Sequence, residues 1–203
     1  MPHQTPSRET TFGYLTTLHT PDHGYFGGYL VLSQYGRPLE FHCTSPVRPS
    51  RAQEILYGPM LPSYLLGEQI SGALLAAAKL TPRLILTDQA ATLAVCKRAP
   101  APMVLVLATL GGEDAGTNPS NTRGAIIAAE VFRPAESTIS GNGFISGNYE
   151  LHLPLGYERE QSVVVALLTL LSNHVDLAEP FDRIHEAIRE AQRIGAEAQG
   201  QAA

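Results

Sequence analysis

Two short stretches limit what this chain can fold into more than anything else in it: RLILTD at residues 83–88 and PMVLVLATL at residues 102–110. Both are nearly continuous runs of aliphatic, largely branched residues. A strand with one wet face alternates apolar and polar positions, so an unbroken run signals a strand covered on both sides, as in the middle of a sheet with helices against each face. The chain therefore needs a central, covered sheet. Its 203 residues, 44% of them hydrophobic, supply one core of that size. The expected fold class is α+β (mixed α/β): a single domain with a mixed sheet, an N-terminal β-hairpin, covering helices and a C-terminal helix pair.

The hairpin is read from GGYLVLSQYGRPLEFHCT, residues 27–44. A two-residue turn at Tyr35 and Gly36 sets Leu32 opposite Leu39, Leu30 opposite Phe41 and Tyr29 opposite His42. Leu39, Phe41 and Cys43 then alternate with Glu40, His42 and Thr44, the pattern of a strand buried on one face and wet on the other. FGYLTTLHT supplies a neighbouring strand, and PDHGYFGG reads as a turn-rich link. Ser50 and Gln53 have the spacing of a capping box that opens a short helix over RAQEILY. A longer helix follows from Pro62, with Leu66, Ile70, Leu74 and Ala77 on one face. GAIIAAEVF and NYELHLPLG are further strand candidates. SVVVALLTLLSNH and a helix with Pro180 near its start, striped by Phe181, Ile184, Ile188 and Ala191, close the chain. The expected limits are a flexible N-terminus over 1–10, the domain over 11–195 and a frayed tail over 196–203. In outline the element order is similar to that of small sensor and scaffold folds of the roadblock, longin and profilin-like groups, a likeness of fold alone.

Composition narrows the function classes. The formal charge is −5 and the 14 Lys and Arg are scattered, so no basic run exists to neutralise phosphates; no nucleic-acid partner is expected. No apolar stretch reaches about 18 residues and the N-terminus has no apolar signal region, which points to a cytoplasmic protein without membrane contact. Cys43 and Cys96 read as buried thiols. Among the seven histidines only His19 and His23 are four apart, and Pro21 breaks any helix between them, so no metal is expected. ISGNGFISGN, residues 139–148, misses a dinucleotide fingerprint because Ser146 stands where a third small residue is needed, and no cofactor is expected. Gly-Asn pairs of this kind fill turns or loose hairpins.

Three groups of residues are candidates for chemistry. Tyr29, Glu40 and His42 share the second face of the hairpin, where a phenol, a carboxylate and an imidazole meet and general acid/base catalysis has its parts. Asp88 ends the LILTD run, outside the carboxyl end of a strand, where it binds a ligand or caps the next helix. Asn142 and Asn148, in Gly/Asn loops suited to act as lids, complete the ligand-binding candidates. With no recognisable nucleophile, metal or phosphate-binding motif, the expected function is non-catalytic. It is that of a binding, scaffold or sensor-type protein acting through a protein partner, self-association into a homo-oligomer, or a small ligand. The alternative is a hydrolase or transferase working on the Tyr29, Glu40 and His42 face.

Overall fold

The computed structural model describes residues 9–20, 24–108 and 143–200. The strand expected at GAIIAAEVF and the candidate Asn142 lie outside the described residues. Within them one mixed sheet of seven strands runs in the order β3-β2-β1-β4-β5-β7-β6, from β1 (Thr11–Thr20), β2 (Gly24–Ser33), β3 (Pro38–Cys43), β4 (Leu84–Thr87), β5 (Met103–Ala108), β6 (Phe144–Ser146) and β7 (Tyr149–His152). The α+β expectation holds. β1, β4 and β5 are mutually parallel and the other pairs antiparallel. As their unbroken apolar runs require, β4 is buried along its whole length and β5 over its first four residues.

Helices cover both faces. On one lie α3 (Gln161–Ser172) and α4 (Glu179–Gly200), with Leu168, Phe181, Ile184 and Ile188 against Phe12, Tyr14, Leu30 and Leu86. On the other lie a π-helical stretch, Ser63–Ile70, that runs into α2 (Ser71–Ala77), and a 3₁₀ helix, Ala90–Arg98. These bury Leu66, Ile70, Leu74 and Leu93 against Leu15, Tyr29, Ile85 and Leu105. The Ser50 and Gln53 capping box forms in full at the head of α1 (Arg51–Tyr57), which buries none of its residues. The backbone of α4 runs from Glu179 through Gly200. No helix among the described residues is long and apolar enough to cross a membrane.

The hairpin departs from its expected form in three ways. Gly24 to Gly28 belong to β2 itself, not to a link. The turn has three residues: Ser33 N–H donates to Arg37 O and Gly36 N–H to Ser33 O, both at 2.9 Å, with Gly36 at φ 81°. The left-handed glycine closes a three-residue hairpin loop, the second commonest kind. A register shift between Val31 and Leu32 then puts Leu32 opposite Pro38, while the pairs Leu30–Phe41 and Tyr29–His42 stand. Third, the wet face is misplaced. β2 is an interior strand, so both its faces are covered and Tyr29 is fully buried. β3 is an edge strand; α4 packs on β1 and β2, and Phe41 is left 40% exposed. Cys43 is exposed and Cys96 half-buried, so neither is the buried thiol expected.

Adjacent glycines in β2 set how closely the helices approach. A Cβ on Gly27 would meet Ile70 Cγ2 at 2.5 Å and Leu74 Cδ1 at 2.8 Å, and one on Gly28 would overlap Ile184 Cγ2. Successive residues of a strand face opposite ways, so the two glycines admit one helix layer each. Gly28→Ala is therefore expected to lower the unfolding free energy by about 1–3 kcal/mol through overpacking, as read by urea denaturation. Leu30→Ala is expected to cost about 2–5 kcal/mol, and Phe41→Ala, at the open edge, clearly less.

Candidate active site

The structure brings Glu40 and His42 together, while Tyr29, opposite His42 in the strand pairing, is fully buried. The Tyr29 ring fills the space that Gly13 leaves, where a Cβ would meet its hydroxyl at 2.5 Å. That hydroxyl is buried with no hydrogen-bond partner among the described residues, and burial, then the nearby Glu40 charge, pushes its pKa up. Such a phenol is a packing group, not a proton donor to substrate. Glu40 acts as a clamp: its two carboxylate oxygens accept from the backbone N–H groups of Lys79 and Leu80 at 2.8 Å each, and Oε1 lies 2.7 Å from His42 Nε2. It ties the edge strand to the segment leaving α2. Burial works to raise its pKa, but the hydrogen bonds from His42, Lys79 and Leu80 outweigh it and hold the carboxyl below its ordinary value.

The sign of the pH effect follows. A depressed folded pKa contributes stability that is full above the unfolded value, near 4.5, and is lost as pH falls through the folded one. Glu40→Ala is expected to cost about 1–3 kcal/mol at neutral pH, and the gap from wild type should shrink only as pH drops below about 4.5. Chemical denaturation across pH 3–7 checks it.

Asp88 stands elsewhere. Leu15 pairs with Thr87, so Thr16, within β1, and Asp88, just past the carboxyl end of β4, are the next positions on two parallel neighbours. After β1 the chain builds β2 and β3 to one side and resumes with β4 on the other. A crevice at such a reversal of strand order is where ligands bind in open sheets. Asp88 does not cap the helix that follows it: the N-cap residue of that 3₁₀ helix is Gln89, and no side-chain cap forms there. Its entry is held instead by Thr87 Oγ1 and Thr92 Oγ1, 2.7 Å apart, with Thr92 donating to Gln89 O at 2.7 Å.

The Asp88 carboxylate is turned toward α4. Oδ2 lies 3.9 Å from His185 Nε2, and Thr16 Oγ1 lies 3.2 Å from the same nitrogen. Oδ1 is buried with no hydrogen-bond partner among the described residues. Burial raises the Asp88 pKa; His185 and the Thr16 hydroxyl oppose it, and the Asp182 charge adds to it. The cluster is not sealed: the side chains of Asp88 and His185 keep 23% and 12% exposure. A carboxylate and an imidazole in contact, partly open, at the end of a buried strand have the parts for proton transfer.

Sequence reasoning missed Thr16 and His185. The signal for His185 was its place on α4, four residues after Phe181 and beside Ile184, on a stripe that is otherwise apolar. Asn148 sits in the Gly147-Asn148 turn of the β6–β7 hairpin, with Gly147 at φ 59°. It borders a hollow with Tyr149 and Asp176. Asp176 accepts from the Tyr149 hydroxyl at 2.8 Å and from the N–H groups of Ala178 and Glu179 at the head of α4. That arrangement is a helix cap at the head of α4, six residues before His185. Among the described residues no three His, Cys, Asp or Glu are placed to hold a metal ion.

No protein-family model and no curated protein matches the chain. Its fold is similar to solved endonuclease V structures. The catalytic domain of human endonuclease V is 15% identical at a TM-score of 0.49, over 94% of this chain and 85% of that one. Human ENDOV is 17% identical at 0.44, over 94% and 87%. Endonuclease V of Ciona intestinalis, solved with a 24mer DNA containing an inosine followed by a ribo-adenosine, is 11% identical at 0.36, over 73% of each chain. These neighbours are nucleases, one of them holding DNA, and they correct the expectation of a non-catalytic, protein-binding scaffold without a nucleic-acid partner. That expectation had equated a missing linear motif with missing chemistry and had taken surface charge, a local property, from a whole-chain sum, which does not measure it. At such identities and scores the likeness describes a fold and carries no argument on activity, which rests on this chain's own residues.

Proposed function

We propose that the chain is a hydrolase or transferase whose acid/base centre is Asp88 and His185, at the carboxyl end of β4 and beside Thr16 of β1. The observation that carries this reading is the Asp88 carboxyl: partly open to solvent, its Oδ1 buried and unpartnered, and set against an imidazole. A buried polar atom without a partner is a standing cost to the fold, and such costs concentrate at functional sites. In the reaction, His185 takes the proton of an attacking water or acceptor hydroxyl as its oxygen bonds to the substrate. The same proton then goes to the departing group as its bond breaks, and the Asp88 charge stabilises the transient imidazolium.

Asp88→Asn and His185→Gln are each expected to lower turnover by about 10²- to 10⁴-fold. The assays cover ester and phosphodiester substrates, among them an inosine-containing DNA strand of the kind held by the Ciona nuclease. Stability should move the other way. A carboxyl whose folded pKa is raised loses folding stability as pH rises from the unfolded value, near 3.8, through the folded one. Asp88→Asn should thus melt higher than wild type at neutral pH and lose that advantage in acid. Unchanged turnover in both variants on every substrate would remove the reading.

A further inference from the structure

The two edges of the sheet end differently. An edge strand presents a row of unpaired backbone N–H and C=O groups, and proteins blunt it by shortening, charging or bending the strand. β6, at one edge, has three residues. β3, at the other, runs six residues from Pro38 to Cys43, and no described strand lies beyond it. It carries no lysine or arginine, and its one proline stands at the first position. The register shift bends only its start; from Glu40 onward the pairing with β2 is regular.

One bond tells which backbone groups of β3 face outward. Thr44 N–H donates to Gly27 O at 3.0 Å, and in an antiparallel ladder hydrogen-bonded pairs alternate with unbonded ones. The pairs Gly28–Cys43 and Leu30–Phe41 are therefore the unbonded ones. The N–H and C=O groups of Phe41 and Cys43 point away from β2, into the open edge. Both residues are exposed there, although neither is charged.

We propose that β3 pairs antiparallel with β3 of a second copy of this chain, about a two-fold axis at Phe41, and so joins two sheets into one. Charge complementarity across that axis is what selects a second copy, because a two-fold contact needs a surface that suits itself. With the axis at Phe41, the backbone groups of Phe41 bond to the same groups of the second copy. The two phenyl rings, each beyond the reach of α4 in its own chain, come side by side. Glu40 lies opposite the second copy's His42 on both sides of the axis, in unbonded pairs where side chains approach most closely. Aromatic pairs and opposite charges are the cross-strand neighbours that stabilise a ladder, and no like charges meet. The other axis the outward groups allow, at Cys43, sets Phe41 against Ser45 and Glu40 against Pro46 and loses both gains. The seam lies at β3, whereas Thr16 and Asp88 belong to β1 and the end of β4, further into the sheet. The pairing thus stands apart from the acid/base reading and leaves that site open.

Sedimentation velocity of the full chain over a dilution series, in reducing buffer, tests the pairing. Wild type should show twice the chain mass at high concentration and dissociate on dilution. Phe41→Pro deletes an N–H that β2 does not use, and Phe41→Lys, which keeps that N–H, sets two ammonium groups together at the axis. Each should raise the dimer dissociation constant about 10-fold or more, with Phe41→Leu close to wild type. Should Phe41→Pro fail to fold, Phe41→Lys decides alone. Mild oxidation locates the axis: wild type should form no link between two Cys43 residues, and the double variant Phe41→Cys, Cys43→Ser should link through position 41. A wild type that is monomeric at every concentration overturns the proposal, as does a dimer indifferent to Phe41→Lys. A Cys43–Cys43 link in wild type overturns the register and the charge argument with it.

Discussion

The seating of α4 over Gly28 is the contact on which the rest depends. A β-strand ordinarily keeps a helix at the distance its side chains dictate, and at Gly28 that spacer is absent. Ile184 fills the gap, and the next residue, His185, is thereby brought to hydrogen-bonding distance of Thr16. Gly27, facing the other way, lets Ile70 and Leu74 close the opposite layer. Two small residues in succession thus fix the thickness of both halves of the core, and the candidate site is a by-product of that fixed spacing. Glycine here serves close approach and not an unusual backbone angle, since neither residue has a positive φ.

Two histidine–carboxylate pairs in one chain show how environment divides structure from chemistry. At Glu40 both oxygens accept backbone hydrogen bonds and His42 adds another, so the ion is satisfied and its pKa is held down. At Asp88 one oxygen has no partner and burial dominates, so the pKa goes up. A fully satisfied ion is inert and stabilising; a half-satisfied one costs stability and is poised to change protonation. Groups whose surroundings push them in opposite directions mark where acid/base assignments belong. By that criterion the hairpin pair is a fastener, and the α4 pair is where the proposed acid/base chemistry belongs.

Much of the fold was legible in the sequence because it rests on periodicity. The unbroken runs placed β4 and β5 in the covered centre, the Ser50 and Gln53 spacing placed α1, and Phe181, Ile184 and Ile188 placed the inner face of α4. The edge was not legible. Alternation in PLEFHC is the same whether the strand lies inside or outside the sheet, and only the position of β3 beyond the reach of α4 decides that Phe41 meets solvent. Tyr29 misled for a related reason: its partner in space is Gly13, on a strand whose register the local sequence does not specify. Asp88 was legible as a strand-end carboxylate, but not its choice of partner, because His185 lies on a helix almost a hundred residues further along the chain.

The site has no linear motif because topology assembles it. Thr16 comes from β1, Asp88 from the end of β4 and His185 from the last helix, and the three meet only after the sheet has paired and α4 has docked. Motifs arise where one loop supplies every group, as in glycine-rich phosphate loops; a centre drawn from three rigid elements leaves only single residues, each ordinary in its own segment. The gain is precision, since strand ends and a packed helix hold side chains more firmly than a loop does. The cost is that every member depends on the same docking contact. A histidine on an otherwise apolar stripe is thus the one trace such a site leaves in sequence, and it becomes interpretable when the register that carries Thr16 and Asp88 side by side is known.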